Sequence, residues 1–154
     1  MGKSLWSSVV AALALSFAAS ASDQQLASAE EAKAMLDRVV GALKADAAKA
    51  LSAFNDPSDK QFHDRDLFVS CFTIADGKIT AYSSPALLGV DIRTLALKDD
   101  PIGQRAYDAV HNVPEGEFAS IDYNLPKPGT TVPVPKRSLQ VRVGDQACAV
   151  AYFK

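Results

Sequence analysis

The chain has 154 residues, of which 48% are hydrophobic, and a formal net charge of −2 at neutral pH. This weakly acidic balance excludes a nucleic-acid-binding surface, which needs an excess of basic residues. The length suits one domain with its own hydrophobic core.

Residues 1–21 have the features of a secretory signal peptide. A lysine at position 3 precedes the apolar run 9–17 and the small-residue pattern at 19–21. The apolar run is shorter than the ~20 residues that span a bilayer, although an uncleaved membrane anchor is the alternative. We therefore predict a signal peptide at 1–21, a single domain at 22–154, and a periplasmic or secreted location.

One long amphipathic helix is predicted over residues 28–54. Ser28 and Glu31 form the S-x-x-E pattern of a capping box. Apolar residues then recur at steps of three and four, which places them on one stripe of a helix. They are Ala32, Leu36, Val39, Val40, Leu43, Ala47, Leu51 and Phe54. Such a stripe packs either on the domain's own sheet or on the same helix of a second subunit.

The middle of the chain predicts a hairpin followed by short helical segments. Two runs of β-forming residues flank the turn Asp76-Gly77, so residues 67–82 predict a β-hairpin. A short helical turn is expected around residues 92–95. A further helix is expected to open at 99–101 and to stop before Pro114.

Three further strands are predicted at 116–125, 136–143 and 147–153. The segment 126–135 holds four prolines and predicts a stiff extended loop. The last strand is apolar almost throughout, which predicts a central position in the sheet. The order of elements is one long helix, two strands, short helices and three strands, which is that of a PAS-like α/β domain.

The chain contains two cysteines, Cys71 and Cys148. Export would place them in an oxidising compartment, where an even number of cysteines favours a disulfide. Their spacing matches no zinc or haem motif. Two buried free thiols are the alternative.

Several segments resemble motifs of the single-Cache type 2 family of extracellular sensor domains. Residues 76–89 resemble its D-G-x-x-x-A-H-P-x-P-x-L-x-G stretch, 122–128 its D-Y-x-W-P-x-P motif, and 148–154 its C-G-V-G-Y-Y-K ending. Segments 53–57, 135–138 and 143–145 match further family features, and the resemblance spans residues 31–154. The chain departs from the family pattern at Tyr82, Ser83, Leu125, Ala149 and Ala151, which fall around the expected pocket.

The resemblance implies a five-stranded, mostly antiparallel sheet with a long N-terminal helix and short covering helices. The first and last strands of that sheet are neighbours, which places Cys71 and Cys148 in adjacent central strands. Adjacent strands bring paired residues close enough for a disulfide.

The resemblance also implies a pocket for a small organic acid or a similar metabolite between the sheet and its covering loops. A carboxylate needs cationic or neutral donors in a mostly apolar pocket. Lys136 is the best cationic candidate, and Ser138 lies two residues further along the same strand face. Tyr82 and Tyr123 offer phenolic donors. The alternatives are a solvated lysine and half-buried tyrosines without a binding role, and Arg137 is expected to point to the opposite, solvated side.

The sequence predicts no catalytic residue, no cofactor and no metal site. Cys71 with His63 or His111 is the one thiol–imidazole pair to consider, but Cys71 lies in the middle of a predicted strand. The acidic residues between 56 and 66 do not follow the spacing of a calcium-binding loop.

We therefore predict an exported ligand-binding Cache domain protein that senses small organic acids in signal transduction or chemotaxis. Family members usually continue into a membrane helix and an output domain, whereas this sequence stops at Lys154. A stand-alone protein is therefore expected, and the alternatives for its role are to present the ligand to a membrane receptor, to buffer a metabolite or to act through another partner protein. A homodimer through the 28–54 helix is the alternative to packing of this helix on the domain's own sheet, which is the favoured interpretation. The alternative is a non-catalytic interaction or scaffold protein whose pocket is filled by Ala149 and Ala151.

Overall fold

A computed structural model describes residues 25–154, and the signal peptide predicted at 1–21 lies outside the described residues. The described part contains three helices and six strands. In chain order they are α1 (Ala29–Ala45), α2 (Ala47–Phe54), β1 (His63–Asp64), β2 (Leu67–Thr73), β3 (Ile79–Ala81), α3 (Ile102–His111), β4 (Phe118–Pro126), β5 (Pro133–Val143) and β6 (Gln146–Phe153). Short 3₁₀ turns lie at Pro85–Leu87 and Ile92–Thr94.

The N-terminal helix begins as expected but is interrupted once. Ser28 and Glu31 form the capping box, with the Ser28 side chain accepting from the Glu31 N–H. At Asp46 the backbone is extended (φ −163°, ψ 101°), and the Asp46 carboxylate accepts a hydrogen bond of 3.0 Å from the backbone N–H of Lys49. Aspartate side chains compete for backbone donors in this way, so Asp46 ends α1 and caps α2. The apolar stripe alone predicts one continuous helix over 28–54.

The sheet is antiparallel and has the strand order β3-β2-β6-β5-β4, with β1 pairing the first residues of β2. These five longer strands confirm the predicted PAS-like architecture, and β6 lies at the centre as expected. Strands β4 and β5 pair as far as Pro126 and Pro133, so the predicted loop at 126–135 shortens to 127–132. The prolines are tolerated because β4 is an edge strand and residues 133–135 of β5 extend beyond the end of β6.

Each face of the sheet has its own cover. Helices α1 and α2 cover one face, where Leu36, Val39 and Phe54 pack with strand residues such as Val141 and Val150. The apolar stripe is therefore used by the domain's own sheet, and a homodimer through this helix stays a prediction. The other face, called the second face below, is covered by residues 83–97 and by α3, whereas the first face is the one under α1 and α2.

The predicted disulfide is confirmed. Cys71 of β2 lies directly opposite Cys148 of β6, with 4.1 Å between the Cα atoms and an S–S distance of 1.99 Å. Both cysteines are buried on the face covered by α1 and α2. A disulfide is typical of oxidising compartments, in agreement with a periplasmic or secreted location.

Within residues 25–154, no helix has both the length and the apolar character needed to cross a membrane.

The cover of the second face includes one very close backbone contact. The Gly103 N–H in α3 donates to the carbonyl oxygen of Leu95 over 2.9 Å. A Cβ atom at Gly103 would lie only 1.7 Å from the carbonyl oxygen of Ile92. Only glycine therefore lets α3 approach the 92–95 turn this closely.

Replacing both cysteines by alanine is expected to lower the free energy of unfolding by about 4 kcal/mol at most, because the bond closes a loop with a sequence separation of 77. This corresponds to a Tm decrease on the order of 10 °C. Thermal unfolding of the variant and of the oxidised protein measures the difference. An unchanged Tm would contradict the structural role assigned to this disulfide.

Gly103→Ala is expected to destabilise the protein by about 1–3 kcal/mol, because α3 must move away from the 92–95 turn. Gly41→Ala is the matched control: it makes the same change in α1, where an added Cβ meets nothing within 4 Å. We expect this control to stabilise the protein by about 0.5–1 kcal/mol through helix propensity. Urea unfolding measures both variants, and two changes of the same sign would contradict the prediction.

Candidate ligand-binding site

Two adjacent chambers lie between the second face of the sheet and its cover. The inner chamber has a volume of about 90 Å³ and the outer chamber a volume of about 300 Å³. The two share the lining residues Ser70, Tyr82, Leu95, Ile102, Tyr123 and Ser138. The expected pocket between sheet and loops is therefore present.

The structure brings all four sequence-predicted site residues together at the outer chamber. Lys136 and Ser138 lie on β5, Tyr123 on β4 and Tyr82 just after β3. Tyr123 is the direct cross-strand partner of Lys136. Ser138 and both tyrosines also line the inner chamber. That these residues bind a ligand stays a prediction.

Lys136 is a buried cation, with only 5% of its surface exposed. Its Nζ atom lies 4.4 Å from the centroid of the Phe153 ring, which belongs to its cross-strand partner in β6. Among the described residues, no carboxylate lies within ion-pair distance of this Nζ. Burial lowers the pKa of Lys136, and the more distant carboxylate of Asp66 opposes that change. Lys136 thus lines the outer chamber with an aromatic ring beside its ammonium group, while the described carboxylates, Asp66 included, lie beyond ion-pair distance.

Arg137, the next residue of β5, shows the opposite arrangement. It points to the other side of the strand, as predicted, and its Nε lies 2.6 Å from a carboxylate oxygen of Asp122. The Lys154 ammonium contacts the same carboxylate at 3.3 Å. These cations already have partners at the surface, which leaves Lys136 as the cation that lines the outer chamber.

The two tyrosines supply neutral donors to the chambers. Burial raises the pKa of Tyr82, and burial together with the nearby Tyr82 phenol raises the pKa of Tyr123. Both phenols therefore stay protonated at neutral pH. The position of Tyr82 is set by Asn55, whose side-chain carbonyl accepts from the Tyr82 N–H over 3.2 Å. An edge-to-face contact with Phe68, at 5.4 Å between ring centroids, holds its ring.

Sequence reasoning missed Gln140, which lines the inner chamber. It lies on the same face of β5 as Lys136 and Ser138, and only 1% of its surface is exposed. The signal was present in the sequence, since polar residues alternate with the apolar Leu139 and Val141. Polar positions in such a pattern ordinarily face solvent. The resemblance implies covering loops over Lys136 and Ser138, but the alternation does not show that the cover extends to position 140.

The departures from the family pattern lie largely on the chamber walls. Tyr82, Leu125 and Ala151 line the outer chamber, and Ala149 lines the inner one. The two alanines leave open volume beside them. The remaining wall of the cover is mostly apolar and includes Leu95 and Ile102.

The thiol and imidazole groups weighed for catalysis are otherwise engaged. The sulfur of Cys71 is in the disulfide. His63 Nε2 donates to the carbonyl oxygen of Phe54, and His111 Nδ1 donates to that of Tyr107, both over 2.7 Å. In the described part of the chain, no group of three or more His, Cys, Asp or Glu side chains is placed to hold a metal ion.

No protein family and no curated protein matches the sequence. Solved structures do match. They include the periplasmic sensor domain of a chemotaxis protein, with a TM-score of 0.58 and 18% identity, where the match covers 80% of this chain and 93% of the other.

Two further structures match in the same way. A methyl-accepting chemotaxis protein from Vibrio parahaemolyticus has a TM-score of 0.61 and 16% identity, over 80% of this chain and 86% of the other. A Cache chemosensory domain solved to explain carboxylic acid recognition has a TM-score of 0.54 and 17% identity, with the same coverage. This chain therefore has the fold of the Cache-type periplasmic sensor domains.

Proposed function

We propose that this chain is an exported sensory domain that binds a small monocarboxylate, with Lys136 as the counter-charge. One observation carries the proposal: a buried ammonium lines a chamber of about 300 Å³ and has no carboxylate partner among the described residues. A buried charge is costly unless it is paired. A ligand carboxylate would supply the missing partner.

The surroundings of Lys136 fit one carboxylate and a short apolar body. Charge-assisted hydrogen bonds from an ammonium to a carboxylate are about twice as strong as neutral ones. Tyr123, Tyr82 and the Ser138 hydroxyl line the same chamber and add neutral donors. The apolar walls suit the carbon chain, as in most small-molecule sites.

The structural neighbours support a role in sensing. Two of them are chemotaxis proteins, and the third is a Cache domain that recognises a carboxylic acid. We propose that the present chain also acts in signal transduction, of which chemotaxis is the expected form. A membrane receptor is the proposed partner, since it would convert ligand binding into a signal.

The alternative of an interaction scaffold with a filled pocket is less well supported. That alternative requires the extra methyl groups of Ala149 and Ala151 to fill the pocket. Both residues line open chambers instead of filling them. A binding function uses this volume, whereas a scaffold gains no stability from leaving it empty.

Lys136→Met is expected to abolish the thermal shift that small monocarboxylates produce, because it removes the charge and keeps the apolar stem. A ligand at 100 times its Kd stabilises the native protein by about 2.7 kcal/mol, which is several degrees in Tm. The unliganded variant should be as stable as the original protein or more stable, since a buried unpaired charge is lost. Differential scanning fluorimetry with C2–C6 acids measures both effects.

Lys154→Met is the matched control, since Lys154 is an exposed lysine that contacts Asp122 outside both chambers. We expect its thermal shifts to equal those of the original protein. Undiminished shifts in Lys136→Met would overturn the assigned counter-charge. The absence of shifts with every acid in the original protein would overturn carboxylate binding itself.

Carboxylate affinity is expected to fall at alkaline pH. The fall should begin at a lower pH than it would if the binding lysine were exposed to solvent. Burial lowers the pKa of Lys136, so its ammonium form is lost below the ordinary lysine range. Above that pKa the affinity should fall by up to about tenfold per pH unit. The raised pKa values of Tyr82 and Tyr123 keep the phenols protonated in this window. Calorimetric titration from pH 7 to 10 tests this, and an affinity that stays constant would contradict it.

A further inference from the structure

Gln140 is a buried amide to which the described residues offer no hydrogen-bond partner. Among the described residues, neither its Nε2 nor its Oε1 has a hydrogen-bond partner, although only 1% of the residue's surface is exposed. A glutamine amide offers two donors and one acceptor. Native proteins satisfy nearly all buried polar groups, because leaving one unpaired costs free energy. The inner chamber, which Gln140 lines, is the space in which a partner would lie.

The two chambers are arranged along β5. Lys136 lines the outer chamber only, Ser138 lines both, and Gln140 lines the inner chamber only. These residues share one strand face, so about 13 Å of strand separates Lys136 from Gln140. The cavity therefore has a cationic end and, further along the same strand, an uncharged amide end.

The inner chamber suits an uncharged polar group. None of the residues that line it carries a charge, and its volume of about 90 Å³ holds only a few non-hydrogen atoms. A second carboxylate placed there would be buried with no cationic side chain among the described residues that line the chamber, which is unfavourable. An alkyl group would fit the apolar walls but would leave both amide atoms of Gln140 unpaired.

We propose that the inner chamber is a second recognition subsite, in which Gln140 binds a neutral hydrogen-bonding group at the far end of the ligand. This inference rests on the proposed function, in which Lys136 binds the carboxylate. The ligand class is then a short-chain carboxylic acid that carries a hydroxyl, ketone or amide group away from its carboxylate. Because the amide has both donors and an acceptor, it accommodates any of these three groups.

The first experiment compares matched acids of four, five and six carbons by isothermal titration calorimetry. At each length, one acid ends in a methyl group, one in a hydroxyl and one in a second carboxylate; pentanoate, 5-hydroxypentanoate and glutarate form the middle set. We expect the hydroxy acid of at least one length to bind about 10- to 100-fold more tightly than its methyl counterpart. The diacid of that length should bind most weakly.

The second experiment repeats the titrations with Gln140→Met, which keeps the length of the side chain and removes the amide. The preference for the hydroxy acid over the methyl acid should disappear. The unliganded variant should be at least as stable as the original protein, because an unpaired buried amide is replaced by an apolar group. Gln140→Leu is the second variant, to be used if Gln140→Met does not fold.

Gln146→Leu is the matched control. Gln146 is also a buried glutamine of the central sheet, but it lines neither chamber and its Oε1 accepts from the Thr80 hydroxyl over 2.6 Å. We expect this variant to lose stability and to keep the preference for the hydroxy acid. A lower Tm with an unchanged preference in Gln140→Met would show that Gln140 has a structural role only, and would overturn the inference.

The outcomes separate this inference from the proposed function. Equal binding of methyl and hydroxy acids, with binding still dependent on Lys136, overturns the second subsite and leaves the carboxylate site standing. Tight binding of a diacid also overturns the inference, because it requires a second counter-charge. The absence of binding by every acid overturns the carboxylate site and the subsite together.

Discussion

The antiparallel pairing of β2 with β6 is the contact on which the rest of the structure depends. These strands are far apart in the sequence, and their pairing places Cys71 opposite Cys148. It makes β6 the central strand, to which β5 and then β4 are added in antiparallel order. Because side chains alternate across a strand, this one register decides which residues face the helices and which face the chambers. A shift by one residue would exchange the two sets.

The two faces of the sheet have different roles because they are packed differently. The face under α1 and α2 is filled with large apolar side chains such as Leu36, Phe54 and Val150. On the other face, the alanines at 149 and 151 and the polar side chains of β5 leave volume under a thinner cover. The disulfide joins residues of the first face, so the constraint it adds strengthens the packed layer. Under the proposed function, stability and ligand binding depend on opposite sides of one sheet.

The polar groups in the chambers are unfavourable for the stability of the unliganded chain. Among the described residues, Lys136 has a buried ammonium beside the Phe153 ring with no carboxylate in ion-pair distance, and Gln140 has a buried amide with no hydrogen-bond partner. In a protein selected for stability alone, apolar residues would be better at both positions. A ligand that satisfies both groups recovers this free energy on binding. The same logic explains why Gly103 is needed: α3 must lie close to the 92–95 turn for the cover to close over these groups.

The amino-acid sequence suffices to predict the order of the elements, the PAS-like fold class, the cysteine pairing and four residues that meet at one chamber. Local signals suffice for these features, because periodicity, turn residues and capping patterns act over a few positions, and the family motifs supplied the strand order. The break at Asp46 was missed since an aspartate on a helix surface and an aspartate that caps a new helix look alike in sequence. How far the cover extends along β5 follows from the tertiary structure alone, and with it the burial of Gln140 and the lack of an ion-pair partner for Lys136 among the described residues. Burial depends on which distant segments, here 83–97 and α3, fold back over a strand, and the alternation within the strand does not contain that information.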